Sequence, residues 1–448
     1  MRILLIVHGL PPEHSAGVEV YTRSLCDELA KRHDVFLFTR CNDPFRLEYE
    51  EREERRGRLL IHSVNNTFRE CSSFESTYLN PEIDARFRVF LDRVSPDVVH
   101  IQHMMFLSAG IIEQIKKKGV QIFLTLHDYW LLCPQGQFFF KDAVCDGSQP
   151  AQCATCVMYQ LSIKKNIAAW ITCVRRTLPE PALVFLKNVY CALARVSFLR
   201  GTAAGGMISR REAYLKECMF AIDHFTAPSR YVLKKFIVAG VPASKTAYMQ
   251  YGFKQDMFPD TRKERMRSLR VGVIGNLMPA KGGHVAIRAF RGIPGDKAVL
   301  DIYGPAYSYK SLLSGYRSGI RAMIRQDNIR LKGSFDHDRI ADVFREIDVL
   351  VVPSLWEENS PLVIQEAFLA KTPVIASRIG GIPELVTDGV NGLLFEPGNV
   401  EELRAAIERV IEDPSILDAW RANIPAVKSI EENAKELEAI YAQLVSKP

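Results

Sequence analysis

Long uninterrupted hydrophobic runs are missing from this chain of 448 residues. No stretch of about 18 residues is free of charge, and the nearest approach, 181–199, carries Lys187 and Arg195 inside it. No transmembrane helix is therefore expected. The opening MRILLIVHGL has one basic residue, a short apolar run and then Gly and Pro, with no small-residue cleavage site, so it reads as a first strand rather than a leader. Charge of one sign is scarce too: a net charge of +6 argues against nucleic acid as the main partner. With 47% hydrophobic and 25% charged residues, the composition excludes disordered, collagenous and disulfide-stapled classes. The ten cysteines of a cytoplasmic chain are expected mostly as thiols. A convincing Asp-x-Asp metal motif is also lacking, because Asp336 and Asp338, flanking His337, open a helical pattern in which Asp serves as N-cap.

What the chain has is α/β alternation, twice. Apolar runs at 3–7, 35–39, 59–64, 98–102 and 121–127 are separated by amphipathic stretches such as 17–32, 81–93 and 108–118. The pattern restarts at 270 with runs at 271–275, 298–304, 329–333, 349–354 and 373–377, and with helices expected over 283–291, 361–370 and 400–412. Continuous apolar strands alternating with helices imply parallel sheets covered on both faces. The expected organisation is a Rossmann-like domain at 1–255, a charged linker at 256–268, a second Rossmann-like domain at 269–425, and a terminal helix at 426–448 that packs back on the first domain. Ligands of open α/β sheets bind outside the carboxyl ends of the strands, which places the chemistry in the cleft between the halves.

Residues 353–377 are the most informative. A strand ends at Ser354, a polar turn follows, and a helix is expected to open with Ser360 as N-cap and Pro361 at its first position. Free amides and the helix dipole at such a start make an anion site suited to a diphosphate. Glu366 is out of place on that helix, since Leu362, Val363, Leu369 and Ala370 surround it at helical spacing. A carboxylate on an apolar face needs partners such as the two hydroxyls of a ribose. Glu358 lies in the turn before the helix, and the ordinary reading of two solvated glutamates fits this context poorly. Lys281 follows the strand that ends at Gly275 and stands beside Gly282 and Gly283, where backbone comes close to a ligand and a cation can meet phosphate; alone, it would read as a solvated loop lysine. Gly17 stands in the loop after the first strand.

Glu358 and Glu366 within ENSPLVIQEAF, followed by PVIASRIGGIPELV, resemble glycosyltransferase family 4. So do GNLMPAKGG at 275–283, VNGLLFEPGN at 390–399, APSRYVLKKF at 227–236 and the opening HGLPPEHSAGVEVYTRSLCDELA, and together these cover most of both halves. The resemblance implies a GT-B fold, transfer from a UDP- or GDP-sugar with retention of anomeric configuration, and no cofactor or divalent metal for catalysis. It implies that Glu366 binds the ribose, Glu358 contacts the donor sugar, and Lys281 neutralises the diphosphate. The backbone of Asn359, Ser360, Pro361, Leu362 and Val363 would complete the phosphate site, with Gly275 and Asn276 beside it and Gly17 approaching from the first domain. His127, at the end of the strand QIFLTLH, would contact the donor sugar and the reacting centre. Two departures stand out: Asn276 occupies a place where many members carry Arg, and Ala16-Gly17 replaces a Gly pair. Asn276 keeps open a catalytically silent scaffold of the same fold, and a nucleotide-sugar epimerase is the other alternative.

Two features lie outside this pattern. Cys133, Cys145, Cys153 and Cys156 end in a C-x-x-C pair, which suits either a structural zinc or unligated, redox-active thiols. Residues 161–217 hold ten basic residues against three acidic, with an apolar run from Leu183 to Leu199 among Lys187, Arg195 and Arg200. Such a segment either packs as core or lies on an anionic membrane surface on the inner face of the plasma membrane. The second alternative favours a lipid-linked saccharide over a free saccharide as acceptor.

Overall fold

The computed structural model describes residues 1–70, 73–157, 178–179, 182, 203–258, 268–305 and 316–446. The apolar run 183–199 of the basic segment, with Lys187, Arg195 and Arg200, lies outside the described residues, as does most of the expected linker.

The first half is built on β1 (Arg2–Val7), β2 (Asp34–Cys41), β3 (Glu51–Arg56), β4 (Leu59–Asn65), β5 (Val98–Ile101) and β6 (Gln121–Thr125). A small hairpin of β7 (Phe139–Phe140) and β8 (Ala143–Val144) follows, and β9 (His224–Ala227) and β10 (Thr246–Tyr248) complete the sheet. Its eight strands run in the order β10-β9-β6-β5-β1-β2-β4-β3. All pair in parallel except β3, which runs antiparallel to β4. β3 reads EREERR and is exposed throughout, so no apolar period marks it as a strand; charge on a sheet edge deters pairing with other chains. Helices α1 (Gly17–Leu29), α2 (Pro81–Val94), α3 (Ile111–Lys117), α4 (Pro150–Cys156), α5 (Ala203–Ala221) and α6 (Arg230–Val238) cover it.

The second sheet has six strands, β11 (Leu269–Ile274), β12 (Ala298–Tyr303), β13 (Ile329–Gly333), β14 (Val349–Val352), β15 (Val374–Ser377) and β16 (Gly392–Phe395), in the order β13-β12-β11-β14-β15-β16. It is parallel throughout. Its helices are α7 (Gly283–Phe290), α8 (Tyr316–Met323), α9 (Ile340–Arg345), α10 (Leu362–Leu369), α11 (Val400–Glu412) and α12 (Ile416–Ala422). The last helix, α13 (Ile430–Val445), starts with a capping box between Ser429 and Glu432 and returns to the first sheet. There Leu437, Tyr441 and Leu444 join the core of β1, β2 and α1. Tyr21 donates to Asn433 at 2.7 Å, and Arg32 pairs with Glu438 at 2.8 Å. The crossing needs glycine at 252, where a Cβ would stand 2.5 Å from the Ser429 carbonyl.

A buried carboxylate on the inner face of α2 gives the first half a pH dependence. Asp84 packs against Gly110, where a Cβ would come within 2.2 Å of its Oδ2, and its Oδ1 has no hydrogen-bond partner. Burial, outweighing a bond from Ser108, raises the Asp84 pKa from 3.8 to about 6. A carboxyl group raised in the folded state penalises folding once charged, so the penalty grows as pH rises from 3.8 and is complete above about 6. That rise corresponds to about 3 kcal/mol at most. Asp84→Asn is therefore expected to raise the melting temperature at pH 8 and to leave it unchanged near pH 4. Equal melting temperatures at pH 8 would show that the carboxylate is solvated.

Candidate active site between the two sheets

The carboxyl end of β14 runs into the turn Pro353–Ser360, and α10 follows. The helix starts one residue later than the sequence suggests: Pro361, extended at ψ 116°, is the N-cap, and no side chain caps the first turn. Ser360 Oγ instead accepts from Gln365 at 3.3 Å. The N–H groups of Leu362 and Val363 at the helix start are thus left for an anion.

Glu358 is 3% exposed, and its Oε1 accepts from Lys281 Nζ at 2.6 Å and from Ser354 Oγ at 2.7 Å. Lys281 reaches it because the loop after β11 folds directly onto the end of β14. At Gly282, with φ 67°, a Cβ would stand 1.7 Å from the Pro353 carbonyl, which only glycine avoids. Gly275, at φ 146°, faces open space, with no atom within 4 Å of a Cβ built there. Asn276 follows it, partly buried.

Glu366 is 6% exposed, and its Oε1 accepts from His337 Nε2 at 2.8 Å. The expected cap at Asp336 is present, its carboxylate accepting from the Asp338 N–H at 3.2 Å, and the short turn it starts delivers His337 to Glu366. Burial disfavours the charged imidazole, but the bond and charge of Glu366, with help from Asp338 and Asp336, raise its pKa above 6.5.

The first half closes over this turn. A Cβ at Gly17 would lie 3.2 Å from Leu362. Asn359 Nδ2 donates to the carbonyls of Leu126 at 2.8 Å and His127 at 3.1 Å, while its Oδ1 accepts from Ser229 Oγ at 2.7 Å. Tyr231 and Lys235 of α6 bond to Glu357.

The His127 ring is not free for a ligand. Gln102 Oε1 can only accept, so His127 Nε2 donates to it at 2.6 Å, and Nδ1 accepts from Tyr251 OH at 2.6 Å. The ring stacks on Tyr251, and burial lowers its pKa to about 3. What His127 presents to the second half is its backbone carbonyl. His127→Ala is expected to lower thermal stability without any ligand present, because it strands Gln102 Oε1 and the Tyr251 hydroxyl, each worth about 1–3 kcal/mol when left unpaired. An unchanged melting temperature would free the ring for a purely catalytic role. The sequence reading missed the neighbours: His103 Nε2 lies 3.1 Å from Asp128, and His8 Nε2 lies 3.2 Å from Glu19. Their only signal was a concentration of His in loops at strand ends.

The four clustered cysteines line one cavity together with Phe138, Phe139 and Phe140. The expectation of a structural zinc is not supported: among the described residues, no group of three or more Cys, His, Asp or Glu is placed to hold a metal ion. The thiols meet protein groups instead. Gln152 donates to Cys145 Sγ at 3.6 Å, and Ser148 Oγ lies 3.3 Å from Cys153 Sγ. Burial and neighbouring thiols push the Cys145 thiol up.

The family model described as Glycosyl transferases group 1 matches residues 256–427, and that described as Glycosyltransferase Family 4 matches 15–145. A D-inositol 3-phosphate glycosyltransferase of Rhodococcus opacus is 33% identical over 36% of this chain and 36% of its own length. An amylovoran biosynthesis glycosyltransferase of Erwinia amylovora is 28% identical over 46% of this chain and 53% of its own. The chain thus spans about half or less of the curated relatives it matches. Whole-chain similarity comes from solved structures. Sucrose-phosphate synthase of Thermosynechococcus elongatus superposes over 99% of this chain and 98% of its own, with TM-score 0.66 and 20% identity. Anabaena HepE, solved with UDP and glucose, does so over 98% and 99%, with TM-score 0.64 and 15% identity. Two mainly parallel sheets, these superpositions and consecutive matches on both halves make this chain a GT-B protein of glycosyltransferase family 4.

Proposed function

We propose that the protein transfers a sugar from a nucleoside-diphosphate sugar to a saccharide acceptor, with retention of configuration and without a catalytic metal. The observation that carries this is the Lys281–Glu358 pair, a cation and a buried carboxylate 2.6 Å apart, beside the uncapped start of α10. A diphosphate placed against the free amides of Leu362 and Val363 draws Lys281 from Glu358 and releases that carboxylate toward the donor sugar. Glu366, held by His337, takes the ribose hydroxyls. The neighbours solved with UDP and with UDP-glucose favour a uridine donor. No nucleophilic carboxylate is called for: the leaving phosphate deprotonates the acceptor, and the enzyme supplies positioning and charge stabilisation.

The relative named for amylovoran biosynthesis supports a role in polysaccharide biosynthesis, and for this chain we propose a lipid-linked saccharide as acceptor. A peripheral site on the inner face of the membrane is consistent with Phe220 and Val238, 49% and 80% exposed near Lys216 and Lys234. Among the described residues, no helix is long and apolar enough to cross a membrane. The test is incubation with UDP- and GDP-sugars in excess chelator, followed by NMR of the released or transferred sugar. Turnover giving the donor's anomeric configuration is expected. Inverted product, or turnover only with added magnesium or manganese, refutes the mechanism, and nucleotide binding without transfer or hydrolysis points to a scaffold.

A further inference from the structure

Arg40, the penultimate residue of β2, lies on an apolar strand face and is 6% exposed. Its Nε donates to the Asn66 carbonyl at 2.7 Å, and among the described residues no further partner takes the rest of the guanidinium. Two carboxylates act on it without pairing with it: Glu48, bound to the N–H of Thr67 at 3.0 Å and its hydroxyl at 2.5 Å, and the exposed Glu13, neither of which comes within ion-pair distance of Arg40 among the described residues. Burial lowers the Arg40 pKa to about 10, so the group is still a cation at neutral pH.

The surroundings are built to hold that cation. Its guanidinium carbon lies 5.4 Å from the centre of the Phe68 ring and 5.1 Å from that of Phe106. Both phenylalanines adopt left-handed backbone, φ 61° and 66°, which is strained for a bulky residue and persists only where the surroundings enforce it. Asn66, 1% exposed, enforces it by donating to the Phe106 carbonyl at 2.8 Å and accepting from the Phe68 N–H at 3.1 Å. His14 stands next to this cation, its pKa lowered by burial and by Arg40, and its buried Nε2 has no partner. From Phe106 the rings of His8, His103 and Trp130 follow at 6.5, 4.4 and 5.9 Å, leading to the residues just after His127.

We propose that Arg40 and His14 form a subsite for an anionic group, a phosphate monoester or a carboxylate, on the sugar acceptor. This assigns the acceptor's chemical class and rests on the transferase reading above. A buried cation stacked on strained aromatic turns, beside an unpartnered imidazole nitrogen, has Glu48 and Glu13 only at a distance and no direct ion-pair partner among the described residues, which leaves room for an anionic ligand. The carboxyl ends of β1 and β2, where this pair sits, are the wall of the cleft that faces the donor site.

The test uses the full-length protein saturated with UDP, which occupies the donor diphosphate site, titrated with glucose 6-phosphate, glucuronate or glucose while thermal stability is followed. Glucose 6-phosphate, glucuronate or both are expected to stabilise the UDP-loaded protein, the stronger of the two identifying the anion, and glucose is not. In Arg40→Met the anion affinity is expected to fall about tenfold or more with UDP affinity unchanged. Should Arg40→Met misfold, Arg40→Gln keeps a donor for the Asn66 carbonyl without the charge and should show the same loss. Glucose acting as strongly as the anions, no response to either anion, or anion binding unchanged in a folded Arg40 variant overturns the proposal. Failure of UDP itself to bind would instead overturn the donor-site reading, and inorganic phosphate titrated against wild type and Arg40→Gln would still read the anion subsite alone.

Discussion

Lys281→Met is expected to lower kcat/KM roughly 10³-fold, the upper end of what one lost charge-stabilising donor does in a preorganised site. The upper end applies on the proposed reading, in which Lys281 meets the leaving diphosphate and Asn276 stands where many members of the family carry Arg. The substitution has a second effect that must be separated from the first. Glu358, 3% exposed, would keep only Ser354 as a partner, and a buried carboxylate that loses its cation destabilises the fold. The double variant Lys281→Met/Glu358→Gln should therefore recover much of the lost melting temperature and none of the lost activity. Lys281→Arg should recover part of the activity, since the charge remains but its geometry differs. Activity of the single variant within tenfold of wild type would remove Lys281 from the chemistry.

Much of the architecture could be read in the sequence because, apart from the edge strand β3, both sheets are parallel and covered on both faces. Strands such as ILLIV and VLVV are then continuous apolar runs that need no alternation to be seen. The strand EREERR could not be, since all six of its residues are charged and exposed and it is a strand by its pairing with β4. The start of α10 shifted by one residue because Pro361 fixes φ but not ψ, and here ψ is extended.

Glu366 was marked by its apolar context and Glu358 by its place in the turn before the helix, but their partners were not. Lys281 and Glu358 stand 77 residues apart, and His337 and Glu366 stand 29 apart, so only the folded loops bring each pair together. Arg211 shows the same limit from the other side. Counted with the basic residues of 161–217, it is in fact 1% exposed, lying over Trp130 at 5.1 Å and donating to its carbonyl at 2.5 Å. The cationic surface is smaller by that charge. Arg40 did leave a signal, a lone charge closing the apolar strand VFLFT, of the kind that singled out Glu366.

Glu366→Ala is expected to weaken nucleoside-diphosphate binding about 100-fold, which matches the loss of two ribose hydroxyl bonds to a charged acceptor at about 1.5–3 kcal/mol each, less the cost of desolvating the carboxylate. The discriminating ligand is the 2′,3′-dideoxy nucleoside diphosphate. It should bind wild type and variant alike, because it has no hydroxyl to give up; an equal loss for both ligands would place Glu366 away from the ribose. The His337 pair adds a pH signature that a solvated glutamate would lack. A histidine whose folded pKa is raised contributes stability that is fully present below its unfolded value of 6.5 and disappears as pH rises through the folded value. Glu366→Gln removes the charge that raises it, so the variant should melt below wild type at pH 5.5 and level with it at pH 9. The groups that face His337 besides Glu366 are Asp336 and Asp338, and they act on both proteins equally, so the difference belongs to Glu366. A gap in melting temperature that stays the same from pH 5.5 to 9 would mean that the bond is made by neutral imidazole throughout, leaving Glu366 oriented for the ribose but its stability contribution insensitive to pH.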